Sequence, residues 1–580
     1  MTQKLILGLN AAYHESSAAL WGKGRILAAA EEERFNRIRH GKPTRVNTAG
    51  ELPLRAIRAC LRRAGVSAAD VDVIVYAFHP RLRRRVHPRP EDRGHNLETN
   101  NYGTPEGERR MARGCLSAPE LLGRHIHPAW RSRTRFLPHH LAHGASGVLA
   151  MPTEAERRAF LTVDGIGEIE SARWGEWNGR LRTRSRLIYP HSLGFLWERI
   201  TQYLGYRPLY DEAKIMALAA YGDPDRYQAV FSRFASTTSE SPLRLDNQWL
   251  RFRETSPDGM VALFGRPILS RKPNSDKEEH HQRDLAATLQ SFTNDAVRNM
   301  GQHLRMHTKA NHLGLAGGVA LNCVAMYALA STGLFESLWV QPATNDAGTA
   351  LGAALWWAVH REGARPWQME HPYLGPEIDN EATLTELSRN NARVVWSRPF
   401  EPPKKAAEEL AAGKVIGWVR GPMEFGPRAL GNRSLLAHPG LPGIRDRINR
   451  IKGREWFRPL AVSVMDEAAD RWFDIPESAR MATRNMNLAV PGRALAREKT
   501  PKAPHVDGSC RIQTVAGENP GFRRLLREFQ GLTELPLVIN TSFNLGQPMV
   551  ANAKDAIDTF LRMKDVFSLY LGDYRIERHP

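Results

Sequence analysis

Two apolar segments of this chain run directly into short turns that contain glycine. Residues 159–163 precede Asp164 and Gly165, and residues 313–316 precede Gly317 and Gly318. A buried strand followed by a glycine-rich turn is typical of nucleotide-binding sheets, because glycine lets the backbone approach a phosphate group closely. An ordinary hairpin turn would also explain the Asp-Gly pair. The second segment runs on into a predicted helix.

The chain is too long for one hydrophobic core. Its 580 residues, 42% hydrophobic and 25% charged, predict a globular protein of a few domains. A net charge of +19 would favour the binding of small anionic substrates as well as of nucleic acid. The four cysteines form no C-x-x-C pair, and neither a signal-peptide pattern nor a membrane-spanning apolar run is evident. We therefore expect a cytoplasmic protein.

Three histidines lie within five positions, at His139, His140 and His143. If this segment is helical, His139 and His143 share one face, with Cβ atoms about 5–6 Å apart. That spacing suits two imidazoles that hold one divalent metal, although histidines that cap or pack locally would have it too. Asp346, on a loop after residues 341–345, offers a carboxylate that would complete an open metal site.

Three further segments are unusual in composition. Residues 31–40 are dense in charge, which by itself is typical of a solvated helix face. Residues 79–124 are basic and irregular, which indicates an insertion or a surface subregion. Six prolines between residues 366 and 403 indicate a domain boundary.

Arginine is prominent beyond that boundary. Residues 420–434 contain three arginines among glycines and prolines, which suits a loop that binds phosphate oxygens through guanidinium groups. Lys452, Arg454 and Arg458 add positive charge nearby in the sequence. The pattern predicts an anion site, and a set of exposed, salt-bridged loops is the alternative.

Eight short motifs, weak singly and specific in this order, extend over nearly the whole chain. They are EERFNRIRH (32–40), HHLAH (139–143), TVDG (162–165), EAKIM (212–216), GGVALN (317–322), MEFGPRALGNRS (423–434), RP (458–459) and NTSFN (540–544). Together they resemble the O-carbamoyltransferase family of antibiotic-tailoring and nodulation enzymes.

The resemblance implies an α/β chain of two domains. Residues 1–365 would form an actin-like ATPase domain, similar to the tRNA threonylcarbamoyl-transfer subunit, and residues 366–400 a proline-rich linker. Residues 401–580 would form a domain similar to the threonylcarbamoyl-AMP synthase, which would make carbamoyl-AMP and pyrophosphate from carbamoyl phosphate and ATP. The first domain would bind this adenylate with a divalent metal, Fe²⁺ before Mn²⁺ or Mg²⁺, and transfer the carbamoyl group to a hydroxyl of a small natural product.

The same resemblance implies roles for individual residues. His14 would be the base for the acceptor hydroxyl, with a structural role as the alternative, and residues 31–40 would become part of a site. Arg428 and Lys452 would act in adenylate formation. The metal ligands would be His139, His143, Asp164 and Asp346. The nucleotide-binding residues would be Gly165, Gly317, Gly318, Asn322, Arg420, Arg433, Arg454, Arg458, Arg511, Asn540, Ser542 and Asn544.

The implied partners are carbamoyl phosphate, ATP and a hydroxylated acceptor, with no membrane. Nucleic acid is not expected, and a homodimer is left open. One rival function is carbamoyl or threonylcarbamoyl transfer to a protein or tRNA, although the zinc-finger cysteines of the hydrogenase-maturation relatives are absent. The other is a nucleotide-binding module without catalysis, which two separate anion sites disfavour.

Overall fold

A computed structural model describes residues 4–265, 273 and 275–579, which form an α/β protein of two compact units. The first unit comprises Met1–Glu32, His40–Met369 and Glu477–Met481. The second comprises Glu33–Arg39, Glu370–Pro476 and Ala482–Pro580. The division at residue 369 lies inside the expected linker 366–400. The rest of that segment is not a linker, because it supplies a helix and a strand to the second unit.

The first sheet of the first unit contains β1 (Ile6–Asn10), β2 (Ser17–Gly22), β3 (Arg25–Glu31), β4 (Val73–Tyr76) and β5 (Thr134–Phe136). These strands lie in the order β3-β2-β1-β4-β5. The central strand β1 pairs parallel with β4 and antiparallel with β2, and all five of its residues are buried.

The other strands of this unit are β6 (Arg157–Val163), β7 (Glu170–Asn178), β8 (Leu181–Ile188), β9 (Ala235–Ser236), β10 (Arg244–Leu245), β11 (His312–Ala316) and β12 (Ser337–Val340). The second sheet has the order β12-β11-β6-β7-β8, and β9 and β10 form a separate small hairpin. Because β6, β11 and β12 are parallel, their carboxyl ends lie at one edge of the sheet, where Asp164, Gly317 and the loop to Asp346 follow.

Close backbone approaches place the helix Ala347–Arg361 against both β1 and the helix His139–Val148. A Cβ on Gly8 would lie 1.8 Å from the carbonyl oxygen of Ala350, and one on Gly352 would lie 1.9 Å from that of Ala142. Only glycine fits these contacts. The helices of this unit are Leu54–Ala64, Pro80–Val86, Pro105–Leu116, Ala118–His125, Trp130–Arg133, His139–Val148, Leu193–Tyr203, Glu212–Leu218, Gln228–Phe231, Asn247–Leu250, Asp258–Phe264, Asp276–His307, Cys323–Ala330 and Ala347–Arg361.

The strands of the second unit are β13 (Val394–Ser397), β14 (Ile416–Val419), β15 (Arg433–Ala437), β16 (Ala461–Met465), β17 (Ala489–Pro491), β18 (Ser509–Val515), β19 (Leu537–Ser542), β20 (Ser568–Leu571) and β21 (Tyr574–Arg578). They form one mixed sheet in the order β13-β21-β20-β14-β15-β19-β16-β18-β17. Its helices are Glu33–Asn36, Asn380–Arg389, Pro402–Ala411, Ile444–Lys452, Ala469–Trp472, Ala494–Lys499, Pro520–Thr533 and Ala553–Arg562, and the helix Arg480–Thr483 has residues assigned to each unit.

The charged segment 31–40 is not a solvated helix face. Glu31, Glu32 and Arg34 are buried, and the helix in this segment is only the single turn Glu33–Asn36. Glu32 accepts a hydrogen bond from the backbone N–H of Ala56 at 2.8 Å, at the start of the helix Leu54–Ala64. A side chain distant in sequence therefore supplies a hydrogen-bond acceptor to a helix N-terminus whose N-cap, Pro53, makes no side-chain hydrogen bond.

Glu32→Gln is expected to change how stability depends on pH. Burial raises the pKa of Glu32 from 4.5 to about 7, in spite of the backbone N–H groups at its carboxylate. Because the folded-state pKa is raised, this group's contribution is fully present below pH 4.5 and is lost as pH rises through 7. Between pH 5 and 8 the free energy of unfolding of wild type should therefore fall by up to about 3 kcal/mol relative to that of Glu32→Gln. Urea unfolding measures this, and parallel pH profiles would contradict it.

The described parts of the chain, 4–265 and 275–579, contain no helix that is both long enough and apolar enough to span a membrane.

Candidate metal centre, cavity and anion site

Four buried side chains meet at the carboxyl edge of the second sheet. The helix His139–Val148 places His139 and His143 on one face, and the loops after β6 and β12 supply Asp164 and Asp346. One ligand atom from each lies within 4.8 Å of all the others. Asp164 Oδ2 is 3.4 Å from His139 Nε2 and 3.2 Å from His143 Nε2, and Asp346 Oδ1 is 3.3 and 3.5 Å from the same atoms. The i, i+4 spacing in the sequence predicted that His139 and His143 lie on one face of a helix.

The donor chemistry of this cluster fits a divalent metal. His139 Nδ1 lies 3.2 Å from the carbonyl oxygen of Ala77, which accounts for one ring nitrogen and leaves Nε2 for a ligand role. His143 Nε2 likewise faces the two aspartates, and Nδ1 of this buried histidine makes no hydrogen bond with the described residues. Two imidazoles and two carboxylates are common ligands of Fe²⁺, Mn²⁺ and Zn²⁺.

The cluster is strongly coupled electrostatically. Burial disfavours a charged His139, but Asp346 and Asp164 outweigh it and raise its pKa well above the usual value. Burial likewise acts to raise the pKa of Asp346, yet His139 and His14 lower it to about 2. The two carboxylates therefore stay ionised, as metal ligands must be, whereas His139 would have to lose a proton before its Nε2 could bind a metal.

His140 and Glu168 surround the cluster without joining it. His140 Nδ1 is 2.8 Å from Thr162 Oγ1, and burial lowers the pKa of His140 to about 3. The Glu168 carboxylate accepts hydrogen bonds from the backbone N–H groups of His79 and His139. Sequence reasoning did not identify the role of Glu168, because its partners are 29 and 89 residues away.

A cavity of about 280 Å³ opens beside the two aspartates. His14 lines it, with its side chain 26% exposed and Nδ1 3.9 Å from Asp346 Oδ2. The other lining residues include aromatic side chains, apolar side chains, guanidinium groups and carboxyls, namely Tyr13, Tyr102, Ile166, Phe195, Leu209, Phe252, Arg83, Arg199, Arg253, Glu198 and Glu254. The cluster of His139, His143, Asp164 and Asp346, which we call the metal-type cluster, thus faces a space large enough for a small ligand.

Residues 79–124 form helices that build one wall of this cavity, so the segment is not a merely irregular insertion. Arg83 is 1% exposed and forms two hydrogen bonds to Glu108, at 2.7 and 2.6 Å. It also donates to the hydroxyl of Tyr13 and to the carbonyl oxygens of Gly167 and Glu168. Arg83 therefore fastens this segment to the loop that carries Asp164.

Arg83→Met is expected to destabilise the first unit by about 3 kcal/mol, because breaking a buried ion pair leaves its carboxylate partly uncompensated. Arg109→Met is the control. Arg109 pairs with Glu106 on the helix that also carries Glu108, and the side chains of this pair are 59% and 38% exposed. It should change the free energy of unfolding by less than about 1 kcal/mol. Chemical denaturation measures both, and equal effects would contradict the structural role of Arg83.

The glycines expected to contact a nucleotide lie near the cluster. The backbone N–H of Gly318 donates to Asp164 Oδ1 at 3.0 Å, and Gly317 has a φ of 96°, which favours glycine. Gly165 lines the cavity. The Asn322 side chain is different, because it pairs with Gln290 and caps the helix Cys323–Ala330. Its amide is therefore engaged within the protein.

The second unit brings several arginines together. Arg454 experiences like-charge repulsion from Arg458, Arg511, Arg428 and Arg39. Burial and this repulsion lower the pKa of Arg454 to about 9. Guanidinium groups crowded in this way are typical of a site for a polyvalent anion.

Lys452 lies beside this arginine group and the loop after β19. Its Nζ donates to the carbonyl oxygens of Ser542 and Asn544 and to the side chain of Asn544. Burial, together with Arg454 and Arg458, lowers the pKa of Lys452 well below its usual value. Asn540 lies within β19, and its side-chain amide donates to the buried side chains of Ser463 and Gln513.

Two of the expected phosphate-binding arginines are engaged within the protein instead. Arg433 is fully buried and donates to the carbonyl oxygens of Gly421, Asn432 and Pro376, among others. Arg420 pairs with Asp573 at 3.4 Å. Their positions in an arginine-rich loop did not reveal these partners, because the partners are supplied by the tertiary fold.

Buried Glu424 organises the loop that carries Arg428. Its Oε1 accepts hydrogen bonds from the backbone N–H groups of Leu430, Asn432 and Arg433 at 2.7, 2.9 and 3.1 Å. The sequence motif contained this residue, but its role was not predicted. A carboxylate with three backbone donors fixes the loop conformation.

A two-unit α/β protein with a metal-type cluster beside a cavity, and with a separate anion site, has the parts of a group-transfer enzyme. Residues 5–355 match the family described as "Carbamoyltransferase N-terminus", and residues 407–578 match "Carbamoyltransferase C-terminus". The chain belongs to the carbamoyltransferase family and is a transferase.

Named relatives agree with this assignment. The chain is 35% identical over 580 residues to nodulation protein NolNO of Sinorhizobium fredii, with 98% of this chain and 80% of that protein covered. It is 31% identical over 375 residues to the 3'-hydroxymethylcephem-O-carbamoyltransferase of Amycolatopsis lactamdurans, with 64% and 65% covered. The second of these relatives is thus named as an O-carbamoyltransferase.

Solved structures are more distant. The HypF protein of T. kodakarensis has 13% identity and a TM-score of 0.32, with 63% of this chain and 48% of that chain covered. Component A of the (R)-2-hydroxyglutaryl-CoA dehydratase of Acidaminococcus fermentans has 13% identity and a TM-score of 0.33, with 61% and 97% covered. At these values neither structure supports an inference about function.

Proposed function

We propose that this chain is an ATP-dependent O-carbamoyltransferase that makes carbamoyl-AMP and transfers the carbamoyl group to a hydroxyl of a small natural product. The proposal rests on two features that occur in the same chain. The second unit has a crowded arginine group, and the first unit has a His/Asp cluster that faces a cavity. The printed name of the Amycolatopsis lactamdurans relative, which is a hydroxymethylcephem O-carbamoyltransferase, supports a hydroxyl acceptor.

Adenylate formation is assigned to the second unit. Arg428, Arg454, Arg458 and Arg511 would neutralise the phosphates of ATP and the charge that develops on pyrophosphate as it leaves. Because carbamoyl-AMP keeps one phosphate of ATP, carbamoyl phosphate must lose its own phosphate to water. The resulting carbamate oxygen then bonds to the α-phosphorus. Lys452, fixed by the loop 542–544, would orient that carbamate.

Carbamoyl transfer is assigned to the first unit. His139, His143, Asp164 and Asp346 would hold a divalent metal, with Fe²⁺ favoured over Mn²⁺ or Mg²⁺ by the two imidazoles. When bound, the metal would supply Lewis-acid stabilisation of negative charge. Gly165, Gly317 and Gly318 would allow the adenylate to approach the sheet edge. His14 would take the proton from the acceptor hydroxyl, because it lines both the cavity and the aspartate side of the cluster.

The experiment is an assay without acceptor. Purified protein with ATP and carbamoyl phosphate is expected to release pyrophosphate and form carbamoyl-AMP, which mass spectrometry detects. Omitting carbamoyl phosphate should abolish both products. No pyrophosphate under any condition would overturn the adenylate mechanism.

A further inference from the structure

A second pair of histidines four residues apart lies at the end of the long helix Asp276–His307. His303 is half-buried, His307 is exposed, and their ring centroids are 4.3 Å apart. The corresponding distance between His139 and His143 in the metal-type cluster is 4.6 Å. The two pairs therefore share their spacing in the sequence and nearly share their separation in space.

Backbone carbonyl oxygens determine which ring nitrogen of each histidine is available. His303 Nδ1 is 2.8 Å from the carbonyl oxygen of Ser239, and His307 Nδ1 is 2.7 Å from that of His303. Because a carbonyl oxygen can only accept, each Nδ1 carries the proton, and each Nε2 of a neutral ring keeps its lone pair. Neither Nε2 makes a hydrogen bond with residues 4–265 or 275–579. This is the tautomer in which histidine binds a metal through Nε2 while an oxygen of the protein orients the ring.

The ring of His303 is held in place by its neighbours. Trp174 of β7 packs edge-on against it, with centroids 5.5 Å apart and an interplanar angle of 80°. One turn earlier on the helix, the side-chain amide of Asn299 donates to Thr237 Oγ1 at 2.9 Å. With the bond from His303 Nδ1, this contact fastens the turn 237–241 to the helix. A ring that is already ordered loses less side-chain entropy when it binds a ligand.

The surroundings of the pair favour a cation. The helix ends at His307, and the partial negative charge of a helix C-terminus attracts cations. Glu240 lies in the same turn as Ser239, from whose hydroxyl it accepts a hydrogen bond at 2.9 Å. Its carboxylate also interacts electrostatically with His303. Positive charge placed at the two rings would therefore be stabilised both by the helix end and by this carboxylate.

We propose that His303 and His307 form a second metal site, which binds a divalent transition metal such as Zn²⁺, Ni²⁺ or Cu²⁺ through the two Nε2 atoms. Imidazole suits these metals, whereas Mg²⁺ and Ca²⁺ prefer oxygen ligands. Water would complete the coordination. The metal-type cluster has two carboxylates besides its two imidazoles, so it should fill before the His303/His307 site. A metal at the second site would join two successive turns and stabilise the C-terminal end of the helix.

Zinc content tests the proposal. The full-length protein is freed of metal with a chelator and dialysed against zinc sulfate, and bound zinc is measured by mass spectrometry. His307→Gln is the principal variant, because His307 is exposed and its Nδ1 bonds only to the backbone of its own helix. At a zinc concentration that saturates wild type, it should bind one ion fewer per chain, and so should His303→Gln. Equal zinc content in wild type and His307→Gln would overturn the proposal.

His280→Gln is the matched control. His280 is an exposed histidine on the same helix, and its Nδ1 is likewise 2.7 Å from a carbonyl oxygen four residues back, that of Asp276. No histidine lies four residues from His280 in either direction. The control should bind as much zinc as wild type. An equal loss of zinc in His280→Gln and His307→Gln would indicate unselective binding to surface histidines, and would overturn the two-histidine site.

Thermal unfolding separates this site from the metal-type cluster. A metal that binds only the folded chain raises its Tm, so zinc should raise the Tm of wild type more than that of His307→Gln. The same difference should appear when His307→Gln is introduced into His143→Ala, in which the cluster lacks an imidazole. A difference that vanishes in the His143→Ala background would place the zinc in the cluster alone and overturn the proposal. None of these readouts requires carbamoyl transfer, so the second metal site and the proposed function are tested independently.

Discussion

His143→Ala is expected to abolish carbamoyl transfer to a hydroxyl while pyrophosphate release from ATP continues. The change removes one of the two imidazoles of the His/Asp cluster and leaves the arginine group of the second unit intact. Losing metal-based charge stabilisation, worth several kcal/mol, should slow transfer by at least about 10³-fold. Metal content by mass spectrometry, carbamoylated product and pyrophosphate are measured on the same samples.

His140→Gln is the matched control for that experiment. His140 is also buried on the helix His139–Val148, but its Nδ1 is paired with Thr162 and it lies outside the cluster. The control should retain metal and transfer. Equal loss of metal in both variants, or an equal fall in pyrophosphate and transfer for His143→Ala, would contradict the proposed division of chemistry.

Arg454→Ala is expected to lower carbamoyl-phosphate-dependent pyrophosphate release by about 10²–10³-fold, the usual loss for one preorganised donor to developing charge. Four other arginines exert like-charge repulsion on Arg454. Removing Arg454 should therefore also raise the Tm of the ligand-free protein. Inorganic pyrophosphate should raise the Tm of wild type more than that of the variant, because it offsets the same repulsion. Kinetics and thermal unfolding measure these effects.

Arg493→Ala provides the comparison within the same unit. Arg493 is 52% exposed and pairs only loosely with Asp474, at 3.4 Å. It should leave pyrophosphate release and the response of Tm to pyrophosphate unchanged. If Arg454→Ala behaves like Arg493→Ala, the arginine group is not the adenylation site.

Local sequence patterns and the order of the motifs predicted the family and part of the site. The i, i+4 spacing of His139 and His143 was enough to predict two side chains on one face of a helix, because helical geometry is local. Strands that run into Asp164 and Gly317 are likewise local features, and parallel pairing of β6 with β11 brings their ends together. The order of eight motifs identified the family without reference to any contact.

Pairings between distant residues could not be found in this way. Arg428 and Arg433 occupy the same motif, yet Arg433 is fully buried against backbone carbonyl oxygens, whereas Arg428 contributes to the charge around Arg454. Glu31, Glu32 and Arg34 of the charged segment 31–40 are buried because their partners are supplied by the rest of the fold.

The distinctive chemistry of the cavity also depends on tertiary structure. Glu198 and Glu254 are identical in type, and only the folded chain supplies a backbone N–H and a guanidinium to Glu254 but not to Glu198. The sequence by itself therefore determined the family, the strand-and-turn framework and the two histidines. Tertiary structure decided which charged groups are engaged within the protein and which line the cavity or crowd together, because burial and pairing depend on residues far apart in the chain.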